Sequence, residues 1–223
     1  MKLTVPAVMS VNAGFVDTAG FLALQGLFTA HVTGNFVTIG AAVVFGNSGT
    51  VAKLLALPVF CIVIVVTRMF AFTLPRLGLP ILRTMLSIEL ALLALGAVLA
   101  IALGPFRPGD EGAVVATGMV LVAAMAIQNA ASRIHLATAP PTTLMTGTTT
   151  QMMIDVADLL RGLPPEARAA AKARLGKMAM NVGAFALGCA AGAALFAVAG
   201  NACFAVPPLL ALVPVLMPDS ADS

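Results

Sequence analysis

Twice in this chain of 223 residues, a membrane-length apolar run carrying a polar side chain gives way to a short stretch unsuited to helix. Thr-Gly and a half-length apolar run follow each time. The first instance reads Gly14-Phe15-Val16-Asp17-Thr18-Ala19-Gly20, then Phe28-Thr29-Ala30-His31-Val32-Thr33-Gly34-Asn35. The second reads Ala126-Ile127-Gln128-Asn129-Ala130-Ala131-Ser132, then Thr142-Thr143-Leu144-Met145-Thr146-Gly147-Thr148. Non-helical backbone at membrane depth has N–H and C=O groups that lipid cannot satisfy, so protein must cover it or water must reach it. Interrupted helices at corresponding places in two halves of a membrane protein point to a midplane binding site between them.

The solvent follows from composition. Hydrophobic residues make up 60% of the chain and charged residues 9%, a balance with too little polar surface for a water-soluble domain. The expected partner is a lipid bilayer. The net charge of +3 comes from residues beside helix ends, which reads as orientation signal and offers no basic face for nucleic acid. Cys61, Cys189 and Cys203 fall singly in apolar runs, the pattern of buried thiols and not of disulfides or metal ligands. A removed signal peptide is not expected, because Lys2 is the only positive residue before an apolar run that Asn12 and Asp17 interrupt. With no Trp or Tyr, depth in the bilayer is left to Phe, Lys and Arg.

Apolar runs separated by Gly, Pro and charge predict helical segments near 7–27, 34–46, 51–74, 80–104, 113–136, 146–160, 175–199 and 202–217. The second and sixth, at roughly 13 to 15 residues and about 20 Å, are too short to span. Phe28 to Thr33 and Thr138 to Met145 lead into them and are rich in Thr, Pro and β-branched residues, and Pro140-Pro141 bars a continuous helix. If both short segments re-enter, six helices cross and two three-helix halves, about 1–105 and about 112–218, are inverted relative to each other. That arrangement puts ten of the twelve Lys and Arg on the side of the N-terminus, leaving Lys53 and Arg107 opposite; eight crossings would divide them eight to four. The positive-inside rule favours six crossings within a single membrane domain, N-terminus cytoplasmic. The expected fold is therefore an all-α polytopic bundle of two inverted repeats. The loop Arg161 to Lys177 predicts a short basic helix lying on the cytoplasmic leaflet. Ala184, Gly188 and Gly192 form a small-residue stripe suited to close helix packing, within the bundle or in a homodimer.

Asp17 lies near the middle of its apolar run, where a carboxylate costs a few kcal/mol unless it faces a cavity or a partner. Ser10, Ala13, Asp17 and Gly20 share one helical face, and Asn129 takes the corresponding register in the second half. Thr33-Gly34-Asn35 and Thr146-Gly147-Thr148 open the half-helices, with Thr as a capping oxygen and Gly allowing close approach; amide-rich helix starts suit an anion. His31 is placed to share a proton with Asp17. The alternative for each residue is ordinary packing, capping or interhelical hydrogen bonding. Glu89 has Arg83 as a candidate counter-ion, His135 reads as interfacial, and Asp155 and Asp158 read as partners for Arg161. No metal-ligand spacing, nucleophile elbow, phosphate loop or dinucleotide fingerprint is present in the sequence, so neither an enzyme nor a cofactor is expected.

At these blocks the chain resembles the YoaK family of small bacterial inner-membrane proteins with about six membrane segments. The resemblance rests on Gly14-Phe15-Val16-Asp17, His31-Val32-Thr33-Gly34-Asn35, Ile127-Gln128-Asn129-Ala130 and Thr142-Thr143-Leu144-Met145-Thr146-Gly147-Thr148, with Pro140-Pro141 as a departure. It implies a bacterial inner-membrane location and no particular substrate. The first expectation for function is a secondary transporter or facilitator of a small anion or weak acid. Its site would be Asp17, His31, Thr33, Gly34, Asn35, Asn129, Thr146, Gly147 and Thr148, with Asp17 coupling movement to protons. A non-transporting scaffold that binds lipid or a partner is the alternative, and a cation channel or Na+ symporter the third.

Overall fold

The computed structural model describes residues 4–46, 49–107, 111–137, 139–143 and 145–217. Lys2, Thr138 and Leu144, which enter the readings above, lie outside the described residues. All regular structure among the described residues is helical: α1 (Val5–Ala23), α2 (Asn35–Phe45, entered through the 3-10 turn Val32–Gly34), α3 (Thr50–Thr73), α4 (Ile81–Leu103), α5 (Glu111–His135), α6 (Met145–Arg161), α7 (Pro165–Ala199) and α8 (Val206–Leu216). A 3-10 turn, Gly200–Ala205, joins α7 to α8. Five helical stretches are long and apolar enough to cross a membrane, beginning at Val5, Thr50, Ile81, Glu111 and Pro165. Their outward faces are apolar. Ile62, Val65, Val66 and Met69 on α3, Val98 on α4, and Leu187 and Val198 on α7 are all exposed, as a lipid-facing surface requires. The chain is thus a multi-pass membrane protein.

The two helices that carry Asp17 and Asn129 form the centre. The most apolar window is 67% buried in α1 and 61% in α5, against 17% in α3 and 33% in α4. Phe15, Val16, Leu121, Val122 and Met125 meet there without solvent exposure worth counting. α7 packs along α1, α3 and α4 pack on α5, and α8 closes against α1 and α4.

Glycine sets the α1–α7 contact. A Cβ on Gly188 would fall on the Val11 carbonyl oxygen, one on Gly14 on the Phe185 carbonyl oxygen, and one on Gly192 would lie 2.9 Å from the Phe15 carbonyl oxygen. The small-residue stripe therefore packs inside the bundle. The successive contacts Val11 with Gly188 and Phe15 with Gly192 also show that α1 and α7 run parallel.

Chain reversals position the interrupted stretches. After α1, Gln25 (φ 58) and Gly26 (φ 81) are both left-handed, and the Gly26 N–H donates to the Phe21 carbonyl at 2.9 Å, turning the chain back along the helix it has just left. Gly49 and Lys53, at the start of α3, lie against Gln25 and Gly26. The segment containing α2 therefore begins and ends at the same end of α1. In the second half the Asn181 amide of α7 donates to the Pro140 carbonyl at 3.0 Å, and α6 runs back along the first part of α7 as far as the Asp155–Arg174 pair.

Three expectations need correction. The basic loop does not form a separate surface helix, because α7 is one helix of 35 residues starting at Pro165. From Glu166 to Leu175 the chain holds only Ala, Glu, Arg, Lys and Leu, all strong helix formers, so nothing stops it. Asp155 pairs with Arg174, Nε to Oδ2 at 2.9 Å and Nη2 to Oδ1 at 2.5 Å, and not with Arg161. Finally, Thr33 does not cap α2. It sits inside the 3-10 turn, and Gly34 is the residue before the helix, with no side-chain cap.

Candidate functional site

Asp17 organises the first extended stretch. Its Oδ1 accepts from the N–H of Thr29 at 2.8 Å, of Ala30 at 2.8 Å and of His31 at 3.4 Å, and from the Thr29 hydroxyl at 3.3 Å. Three successive amides without secondary-structure partners are thus satisfied by one carboxylate oxygen, as buried backbone requires. Asn35 pins the start of the same stretch by accepting from the Phe28 N–H at 2.9 Å and donating to the Phe28 carbonyl at 2.8 Å.

The second oxygen of Asp17 meets His31. Oδ2 lies 2.7 Å from Nδ1, and the side chains are 5% and 33% exposed respectively, so the imidazole stands between the carboxylate and open space. The ring packs edge-on against Phe185 of α7, centroids 5.3 Å apart. A cavity of about 560 Å³ borders the pair, lined by Asp17, Thr18, His31, Thr33, Gly34 and Cys189 with Phe21, Phe28 and Phe185 as its apolar walls.

The second stretch is held differently. The Thr143 hydroxyl donates to Asn129 Oδ1 at 2.7 Å, and the Asn129 amide donates to the Met125 carbonyl of its own helix at 3.1 Å. Gln128 reaches across to α1, donating to the Met9 carbonyl at 3.0 Å and to the Thr142 hydroxyl at 3.3 Å. The two interrupted stretches approach each other at the His31 ring, where the main chain of Thr143 lies near enough to act on it.

The nine expected site residues separate into groups. Asp17, His31, Thr33 and Gly34 line one cavity. Asn35 is buried and turned to Phe28, and Asn129 is turned to Thr143. Gly147 and Thr148 line a different cleft beside Arg133, Arg174 and Lys177, while Thr146 faces a groove on the other side of α6. The amides of Gly34 and Asn35 donate within their own turn, Gly34 to the His31 carbonyl at 2.8 Å.

Gln128 and Asn12 belong to the same core without having been singled out as site residues. Gln128 Oε1 and both polar atoms of the Asn12 side chain are buried with no hydrogen-bond partner among the described residues. Gln128 was legible only as the neighbour of Asn129. Asn12 read as an interruption of apolar sequence.

A bundle whose apolar residues face outward and whose central helix carries a buried carboxylate paired with a half-buried imidazole defines a polytopic membrane protein with a polar core. The chain belongs to the DUF1275 family, described as a protein family of unknown function, whose profile matches residues 5–217, in keeping with the YoaK-like blocks. No curated protein and no solved structure matches the chain.

Proposed function

We propose that the protein is a secondary transporter or facilitator of a small anion or weak acid, with proton binding at the Asp17–His31 pair. The observation that carries this reading is His31, which touches the Asp17 carboxylate and lines the cavity, with the second interrupted stretch close by. Asp17 already fills the amide nest of the first stretch, so the ligand's partner on this side is the ring, with Thr33 and Gly34 beside it. A proton on the pair gives an imidazolium that attracts an anion and a carboxylate that remains matched by backbone amides. Loss of that proton leaves a net negative pair that repels the anion, which ties release to deprotonation. The unpartnered polar atoms of Gln128 and Asn12 support the reading, because native cores rarely leave such groups unsatisfied.

The topology that accompanies this reading has six crossings and two inverted halves, with the segments containing α2 and α6 re-entering from opposite faces. Shared ends support it: Gly49 returns beside Gln25, and α6 returns along α7. Nine of the eleven described Lys and Arg then fall on the face where α1 begins, leaving Lys53 and Arg107 opposite, which argues for a cytoplasmic N-terminus. Uptake of radiolabelled lactate, phosphate and sulfate into proteoliposomes under an imposed pH gradient tests the function. Wild-type uptake above empty vesicles, reduced at least tenfold by His31→Gln and Asp17→Asn, is the expected result. Uptake equal to empty vesicles for all of them favours a scaffold in which Asp17 serves only to hold the stretch.

A further inference from the structure

A second cleft, of about 560 Å³, opens where α5 ends, between the stretch Ala139–Pro141, the first turn of α6 and the first part of α7. Three cationic side chains line it, Arg133 from α5 and Arg174 and Lys177 from α7, and among the described residues no acidic one does. They are exposed and come from two helices far apart in sequence. Among the described residues Arg174 is the only one of the three in an ion pair, and that pair spends its Nε and Nη2 on Asp155. Asp155 thereby fixes the guanidinium against the cleft.

The opposite wall is the start of α6. Gly147 stands exposed in its first turn, and a side chain there would meet no neighbouring element among the described residues within 4 Å. The positive end of the α6 dipole adds to the three cations. Thr148 and Gln151 add two polar side chains, and the rest of the lining, such as Pro140, Pro141 and Met178, is apolar. Nothing in the transport reading requires this cleft, which lies outside the cavity at His31.

We propose that this cleft binds a phosphate-class oxyanion, held by Arg133, Arg174 and Lys177 with the first turn of α6. Planar guanidinium groups pair with phosphate oxygens in two-point fashion, and the lysine adds a point charge. The phosphate of an anionic lipid headgroup and free phosphate share this chemistry, and the apolar wall also suits the glycerol end of a lipid.

Binding to the purified full-length protein in detergent tests it, with phosphatidylglycerol in phosphatidylcholine bicelles as one probe and inorganic phosphate as the other. The wild type is expected to bind at least one probe, and Arg133→Gln with Lys177→Gln together to weaken that binding tenfold or more. Arg168→Gln, which lies outside the cleft, is expected to leave it unchanged. Phosphatidylglycerol binding alone identifies a lipid headgroup, and inorganic phosphate binding identifies a soluble ligand. Equal binding by wild type and double variant overturns the proposal, as does no binding of either probe. An Arg168→Gln loss as large as the double variant's overturns it too, since attraction would then be general surface charge. Both variants replace exposed side chains, and their unfolding temperatures report whether the fold is kept.

Discussion

At the scale of single residues, Asp17 has two separable jobs, holding the backbone and carrying charge. Asp17→Asn keeps an acceptor for the Thr29 and Ala30 amides and removes the charge, whereas Asp17→Ala leaves those buried N–H groups without a partner. Thermal unfolding in detergent is expected to show a loss of about 1–2 kcal/mol for Asn and about 2–5 kcal/mol for Ala. Equal losses would mean that the amides find other partners. That Asp17 has a partner was legible, because a carboxylate in an apolar run demands one and His31 is the titratable group in the stretch that follows; its hold on the backbone amides was not. The direction of Asn35 was not legible. Its motif suggested a helix start open to ligand, but the side chain is consumed by Phe28, a local pairing that depends on how the stretch folds back.

At the scale of elements, the α1–α7 seam and the α6–α7 pair make contrasting predictions. Gly188→Ala places a methyl against the Val11 backbone, which cannot give way as a flexible side chain would, and is expected to cost about 1–3 kcal/mol or more. Gly183→Ala, on the same helix but in open space, is expected to be neutral or to gain up to about 1 kcal/mol from helix propensity. The unfolding temperature should fall for Gly188→Ala and stay level or rise for Gly183→Ala. Hydrogen bonding to Arg174, the largest effect, holds the Asp155 carboxyl below its ordinary value of 3.8. A depressed folded value contributes stability that is full above 3.8 and is lost as pH falls through the lower folded value. Wild type should therefore lose more stability than Asp155→Asn on acidification through that window, and parallel pH curves would show that the pair contributes nothing. Glycine spacing revealed that a close seam exists but not its partner, because Ala184, Gly188 and Gly192 would serve a protomer contact equally well. The uninterrupted course of α7 was missed because charged residues were taken to end the helix. They end only its apolar part: the 35 residues span about 52 Å, well beyond the roughly 30 Å of hydrocarbon.

At the scale of the whole molecule, the apolar runs located every helix to within a few residues, apart from the true start of α7 and the 3-10 turn before α8. Hydropathy could do this because lipid rewards each span independently of tertiary structure. It could not show which polar groups share one cavity, since that depends on chain reversals such as Gln25–Gly26 and on side chains crossing from α5 to α1. The central claim is that the pocket beside Asp17 and His31, walled by the first interrupted stretch, can be reached by solutes from water. Cys189 lines that pocket, while Cys61 is exposed on α3 and Cys203 is buried. In a Cys61→Ala, Cys203→Ala background reconstituted in liposomes, a charged methanethiosulfonate reagent should modify Cys189, and Phe185→Trp should slow the reaction by narrowing the pocket. If Cys189 reacts only with an apolar maleimide, or only after unfolding, the pocket is closed to water and the transport account fails.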